Sequence, residues 1–584
     1  MLQFFKYVLA TIVGLFAFFI LSIMLLGAIG SAFSSGSNVT EVKENSVLKL
    51  ELNRQIVENA PSEDPFEGLF QSSNLKVGLI DLKEAIANAK LDPNIEGIYL
   101  KAEYPVAGIS TLEELRNALL DFKESGKFIY TYGEVMSEPA VYLNSVADRI
   151  FLPEVGDIEF NGLSAQISFM KGLFDKIGVE PVIFRVGEYK SAVEPYVRTN
   201  MSPENKEQIS SYVNSIGNHI YAQVAEARGL TVTEINETLN NPVGSAEDAL
   251  EKKLITDIGY YDEFEDALRE KLGLGEGDKI SMVGIKSYGK AKKYVESGDR
   301  NNRIAVIIGQ GTIYSGEGDS ESIGSDSWIE ELRKAAKDKK VKAIVLRINS
   351  GGGSALASDM MWREIELAKK EKPVYASMGD YAASGGYYMA MPCDTIVANP
   401  TTVTGSIGIF GMLFNAQELM NNKLGITFDG VETHEHSNFP SMVSDMPQAE
   451  KNMIQRMVNQ GYERFTSKAA EGRNMEVEHL KSLAGGRVWT GLQAKENGLV
   501  DVLGGLEDAV ELAAKRTGIE DDYQVRYYPK AKSELEIVME KISEQSQVSL
   551  NKKLGALAPY LDEFNRLLKS DHLQAKLPYE VIWD

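Results

Sequence analysis

A serine followed by two glycines can do more than turn a chain. In Tyr381-Ala382-Ala383-Ser384-Gly385-Gly386-Tyr387-Tyr388 the serine comes after a strand-like run and opens an apolar helix. That setting exposes the hydroxyl and gathers the free N–H groups of a helix N-terminus at one spot. Donors of this kind stabilise a developing oxyanion by roughly 3–4 kcal/mol each in hydrolases. An N-cap serine whose glycines serve only close packing is the competing reading. One strand–helix unit upstream lies Arg347-Ile348-Asn349-Ser350-Gly351-Gly352-Gly353-Ser354, again between a buried strand and a helix. In a parallel sheet the two turns would lie side by side at the strand carboxyl ends. The glycines would let backbone approach a substrate carbonyl closely. The turn contains neither GxxxxGK[ST] nor GxGxxG, which argues against phosphate cradling.

A serine nucleophile needs a base. The five histidines (His219, His434, His436, His479 and His572) include no HExxH pair and no evident triad partner, and His434-x-His436 reads as a polar loop. A lysine can serve if burial lowers its pKa from ~10.4 towards ~7–8, because desolvation disfavours the charged amine. The candidate is Lys190 in Val186-Gly187-Glu188-Tyr189-Lys190-Ser191-Ala192-Val193-Glu194-Pro195, although by spacing alone it reads as a surface lysine. Cys393 is the single cysteine, so neither an internal disulfide nor a Cys-rich metal site can form. No metal and no cofactor are expected. A net charge of −23 argues against nucleic acid as a partner, since phosphate binders need a basic stripe.

The elements that must position these residues occur twice. Gly133-Glu134-Val135-Met136-Ser137-Glu138-Pro139-Ala140-Val141-Tyr142 aligns with the ten residues from Gly379, at the offset that also sets Ala147-Asp148-Arg149-Ile150 against Cys393-Asp394-Thr395-Ile396 and residues 95–100 against 341–346. Each copy alternates short β-rich runs with helical segments. In the second copy the pattern predicts strands over 304–308, 341–348, 373–378 and 395–398, and helices over 328–338 and 355–370. Strand–helix alternation implies an α/β fold with a largely parallel sheet covered on both faces. At 584 residues the chain is long enough for two to four domains. The copies are expected to span 46–300 and 301–530, with 59–73 and 315–327 as long exposed loops and a tail of amphipathic helices over 531–584. Glu138 stands in the first copy where the second has Ser384. Opposite Lys190 the second copy has Ser437 or, without a one-residue slip, His436. Neither copy holds both a serine and a lysine, so a working site must form where the two kinds of domain meet.

Residues 7–33 carry no charge. A helix of that length rises roughly 40 Å, enough to cross a ~30 Å hydrocarbon layer with some tilt. The run exceeds the apolar core of a cleaved signal peptide. Lys6 ahead of it favours residues 1–6 staying in the cytoplasm, with everything after the anchor outside.

The strings Gly187-Glu188-Tyr189-Lys190-Ser191-Ala192-Val193-Glu194-Pro195-Tyr196 and Ala383-Ser384-Gly385-Gly386-Tyr387 closely resemble the two catalytic motifs of the signal peptide peptidase A family, peptidase family S49, in its long tandem-repeat form. The resemblance runs from about residue 46 to 525. It implies two tandem domains of the fold shared by Clp-type proteases and crotonases (a ββα superhelix), preceded by one transmembrane helix. It implies a serine endopeptidase with Ser384 as nucleophile and Lys190 as general base, the N–H groups of Gly385 and Gly352 as the oxyanion hole, and Ser406 orienting the lysine. It further implies hydrophobic signal peptides in the membrane as substrates, a homo-oligomer (a tetramer), and a bacterial inner membrane location with the catalytic domains on the periplasmic side. One departure is visible: Gly351 stands where the family usually has proline, which frees φ in that turn. A crotonase-like enzyme of acyl-CoA, or an inactive membrane scaffold, are the rival expectations.

Overall fold

The computed structural model describes residues 39–60, 76–319, 321–520, 522–529 and 573–577, with scattered helical positions between 6 and 21. The 7–33 run therefore lies mostly outside the described residues, as do most of the 59–73 loop and of the 531–584 tail. Among the described residues no helix is long and apolar enough to cross a membrane.

Two parallel sheets carry the duplication. The first is ordered Asp257–Ile258, Arg149–Leu152, Phe128–Tyr132, Ile95–Lys101, Ser46–Glu51, Ser281–Gly284. The second contains the matching path Val502–Leu503, Thr395–Ala398, Val374–Ala383, Val341–Ser350, Arg303–Gln310, Gln524–Tyr528. Every neighbouring pair along both paths is parallel. Equivalent segments thus occupy equivalent places. The central strands are buried on both faces, as a parallel sheet between helices requires: Val341, Ala343, Ile344, Val345, Leu346 and Ile348 are all at most 2% exposed.

Sequence periodicity located these elements within a few residues. Helices form at Ser325–Lys337 and Ala355–Ala368, and Thr395–Ala398 is the strand expected. The largest departure is functional in consequence. The strand expected over 373–378 runs on to Ala383, so it delivers Ser384 directly from its end. The 315–327 segment is also more ordered than its serine- and glycine-rich composition suggested, since Ser322–Gly324 is a strand paired with Thr312–Tyr314.

A third sheet draws on the whole chain. Its order is Ser322–Gly324, Thr312–Tyr314, Gly352–Ser354, Leu573–Lys576, Phe410–Asn415, Glu180–Arg185. The last pair is antiparallel and joins the first repeat to the second, with Arg185 opposite Phe410 and Glu180 opposite Asn415. Phe410 and Phe414 are the buried aromatic residues of this bridging strand.

Candidate active site

The Val374–Ala383 strand starts in the second core and ends with Ala383 packed into the first, and Ser384 must then turn into the helix Gly385–Ala390. It does so at φ 53° and ψ −110°, a conformation that side-chain-bearing residues rarely adopt. Strain of this kind costs about 1–3 kcal/mol and persists only where the surroundings fix it, as at the strand-to-helix nucleophile turns of α/β-hydrolases. Two bonds hold the turn: the Ser384 N–H donates to the Gly405 carbonyl at 2.8 Å, and the Tyr388 N–H donates to the Ser384 carbonyl at 2.9 Å.

Lys190 comes from the other repeat, between the bridging strand Glu180–Arg185 and the short helix Ser191–Val193. Its side chain is fully buried. Nζ lies 2.8 Å from Ser384 Oγ, 3.1 Å from Ser406 Oγ and 3.1 Å from the Ser406 carbonyl. Burial, with no carboxylate to oppose it among the described residues, lowers the amine to about pKa 7. The three oxygens suit both protonation states. A neutral amine can give its two N–H groups to Ser406 and accept from the Ser384 hydroxyl, while an ammonium can donate to all three.

Support for this loop was not legible in the motifs. Gln208, fully buried on the helix Pro203–Arg228, donates to the Tyr189 carbonyl (3.1 Å) and Ser191 Oγ (2.8 Å), and accepts from the Val488 N–H (3.2 Å). It ties the lysine loop to the second repeat. Gly486, at φ +84°, lies so close that a methyl group there would stand 2.6 Å from the Lys190 Cα, Cβ and N. Tyr189 N–H donates to the Gly485 carbonyl at 3.2 Å. The Gly485-Gly486 dipeptide was the one sequence signal that could have found this contact.

The expected oxyanion donors are differently placed. Gly385 N–H belongs to the first turn of its helix, where a donor has no intrahelical acceptor. Gly352 N–H donates to Ser350 Oγ at 3.1 Å, so it is already engaged. Ser406 places its Oγ 3.1 Å from Lys190 Nζ, from a backbone at φ 48°.

Glu138, at the nucleophile's place in the first repeat, is a buried carboxylate. It accepts from Gly162 N–H (2.9 Å), Asn161 N–H (3.2 Å) and Tyr221 Oη (2.5 Å). Ser437 and His436, opposite Lys190 in the repeat, are exposed. Among the described residues no group of three His, Cys, Asp or Glu side chains is placed to hold a metal ion.

The model of peptidase family S49 matches residues 121–275 and 366–520, one segment in each repeat. The chain belongs to peptidase family S49. It is similar to the chloroplastic serine protease SPPA of Arabidopsis thaliana, with 37% identity over 405 residues, 68% of this chain and 60% of that protein. It is similar to Protease 4 of Haemophilus influenzae, with 36% identity over 418 residues, 69% of this chain and 67% of that protein. The chain is accordingly a serine protease of the S49 family. A ClpP1 mutant from Listeria monocytogenes matches 35% of this chain and 94% of its own at 14% identity and a TM-score of 0.23, too slight a likeness to bear on the fold.

Proposed function

We propose that this chain is an endopeptidase working through a Ser/Lys dyad. Ser384 attacks the scissile carbonyl while neutral Lys190 takes its proton, and the amine later returns that proton to the leaving nitrogen. Water, activated by the same amine, releases the acyl group. Gly385 N–H receives the oxyanion, joined by Gly352 N–H once it leaves Ser350. Ser406 holds Nζ in line. The observation that carries the reading is the 2.8 Å contact between a buried amine, with no counter-ion among the described residues, and a hydroxyl on a strained turn.

The substrates are hydrophobic peptides such as signal peptides left in a membrane, and residues 7–33 anchor the enzyme in the bacterial inner membrane with the repeats 46–300 and 301–530 on the periplasmic side. Several chains assemble into a homo-oligomer, a tetramer on the family's pattern, around units of the Clp and crotonase fold. Cleavage of casein and of a synthetic signal peptide tests the core of this reading. Ser384→Ala and Lys190→Ala should each abolish cleavage, and a fluorophosphonate should label Ser384 in the unaltered chain but not in Lys190→Ala. Cleavage that survives Ser384→Ala would overturn it.

A further inference from the structure

A few residues past the uncharged 7–33 run, the chain is tied to a group of lysines. Thr40 N–H donates to the Lys290 carbonyl at 3.1 Å, and Thr40 forms an isolated parallel bridge with Ala291. Seven peptide units separate Phe33 from Thr40, a reach of at most about 25 Å. Residues 279–295 contain Lys279, Lys286, Lys290, Lys292 and Lys293 but no aspartate or glutamate, in a chain whose net charge is −23. All five lysines are exposed, and so are the neighbouring Val39 and Val295.

The fold fixes where these charges stand. Ser281–Gly284 is an outermost strand of the first sheet, paired only with Ser46–Glu51 among the described residues. Lysines along a free edge deter strand addition. Four of these five come after the strand, on the short helix Ile285–Tyr288 and the segment beyond it, so edge protection does not account for them. Asn88, buried on the helix Leu79–Leu91, holds that segment by its main chain: its Nδ2 donates to the Lys292 carbonyl at 3.1 Å, and its Oδ1 accepts from Tyr294 N–H at 2.6 Å. Tyr288 is buried beside it and donates to Asp92 Oδ2 at 3.0 Å. The backbone is thus fastened inward and the lysine side chains face solvent. Glu41, Glu44 and Glu296 flank the lysines in sequence, and Asp81 and Glu84 lie within electrostatic reach of Lys293.

We infer that this basic strip, at the edge of the first sheet, meets the headgroups of anionic phospholipids on the membrane that holds residues 7–33. Its placement rests on that run being an anchor, as proposed above; its attraction to anionic headgroups does not. Lysines next to an anchor are drawn to an anionic surface within a screening length of about 8 Å. The short tether keeps the strip at high effective concentration over the lipid, so a weak attraction suffices to seat it. Val39 and Val295 then reach the boundary between headgroups and acyl chains. The rest of this acidic chain is repelled by the same surface, so attraction and repulsion together set which face of the molecule looks at the bilayer.

The test uses the full chain in vesicles of phosphatidylcholine, with or without phosphatidylglycerol. Ser287→Cys, exposed among the lysines, carries an environment-sensitive fluorophore, while the buried Cys393 stays unlabelled. Lipids spin-labelled at the headgroup should quench the probe about threefold more when phosphatidylglycerol is present. Salt at about 0.5 M should remove the difference, because it shortens the screening length to ~4 Å. Replacing Lys286, Lys290, Lys292 and Lys293 together by Gln should abolish it, whereas Arg at all four should preserve it. Quenching that ignores phosphatidylglycerol, or that survives the four Gln changes, overturns the inference, and so does its loss in the Arg variant. Resistance to extraction by alkaline carbonate reads the anchor separately. A chain that resists extraction but shows no lipid dependence keeps the anchor and loses the strip; one that is extracted, yet is quenched in a lipid- and charge-dependent way, does the reverse.

Discussion

Lys190 shows what a buried base costs and what it provides. Moving its pKa from 10.5 to about 7 gives a usable fraction of neutral amine near neutrality. The rate of cleavage should therefore rise with pH through an inflection near 7 and then level off, as a pH profile of kcat for a peptide substrate would read. The same shift weakens the fold. Below pH 7 both folded and unfolded chains hold the proton, and the folded state bears the whole desolvation cost. Between 7 and 10.5 only the unfolded chain holds it, so stability rises with pH. Lys190→Met, similar in length and without a charge, should abolish activity yet stabilise the protein by on the order of 3 kcal/mol at pH 6. The gain should shrink to nothing by about pH 10.5, and urea unfolding at a series of pH values would show it. A gain independent of pH would mean that the amine is not desolvated.

At the level of elements, the site depends on chain segments that touch through glycine. Gly486 and Gly126 share nearly the same backbone, φ +84° and φ +79°, but a methyl group at Gly486 would collide with Lys190 while one at Gly126 would meet nothing within 4 Å. Gly126→Ala should lose only about 1 kcal/mol, the cost of a left-handed backbone for alanine. Gly486→Ala should lose about 2 kcal/mol more, from overpacking, and should lower kcat at least tenfold because it displaces the base. Equal losses in both variants, read from thermal unfolding and peptide turnover, would show that the lysine loop has room to move. Gln208 acts through the same loop and not on substrate. Its replacement by Leu should depress kcat more than it raises KM, and Gln208→Glu should restore part of the effect by keeping one acceptor for Val488 N–H.

Across the whole molecule the two repeats are locked by a buried ionic cluster. Arg347, on the strand that leads to the glycine turn, contacts Glu58 at 2.9 Å and Glu114 at 2.7 Å, and both carboxylates belong to the first repeat. Burial pushes both carboxyls up. In Glu58 that effect wins, whereas in Glu114 the charges of Arg347 and Lys83 overcome it and bring the group to about 2. The two acids therefore contribute with opposite sign. Stability from Glu114 is present above 4.5 and is lost as pH falls towards 2. That from Glu58 is fullest below 4.5 and is lost as pH rises through its raised pKa. At pH 7 Glu114→Gln should cost about 3–5 kcal/mol, since it leaves Arg347 and Lys83 undercompensated. Glu58→Gln should be neutral or slightly stabilising. Denaturant unfolding of the two variants checks the contrast, and equal costs would refute the assignment.

How much of this was legible in the residues follows from range. Short-range signals determined the strand and helix pattern, the duplication, the serine at a strand end and the lysine motif, because apolar period, glycine turns and repeated strings are local or nearly so. They could not show that the strand before Ser384 runs on to Ala383, nor that Gly352 N–H is engaged by Ser350, because both depend on neighbouring strands. Lys190 is the plainest case. Its sequence surroundings read as surface, and its burial exists only because Gly486, Ser406 and Ser384, far along the chain, close around it. The same holds for Leu573–Lys576, a strand only because Gly352–Ser354 and Phe410–Asn415 both pair with it. The sequence by itself determined which groups could react. Tertiary structure alone decided that the amine meets the hydroxyl away from water, since desolvation is a property of packing and no residue carries it alone.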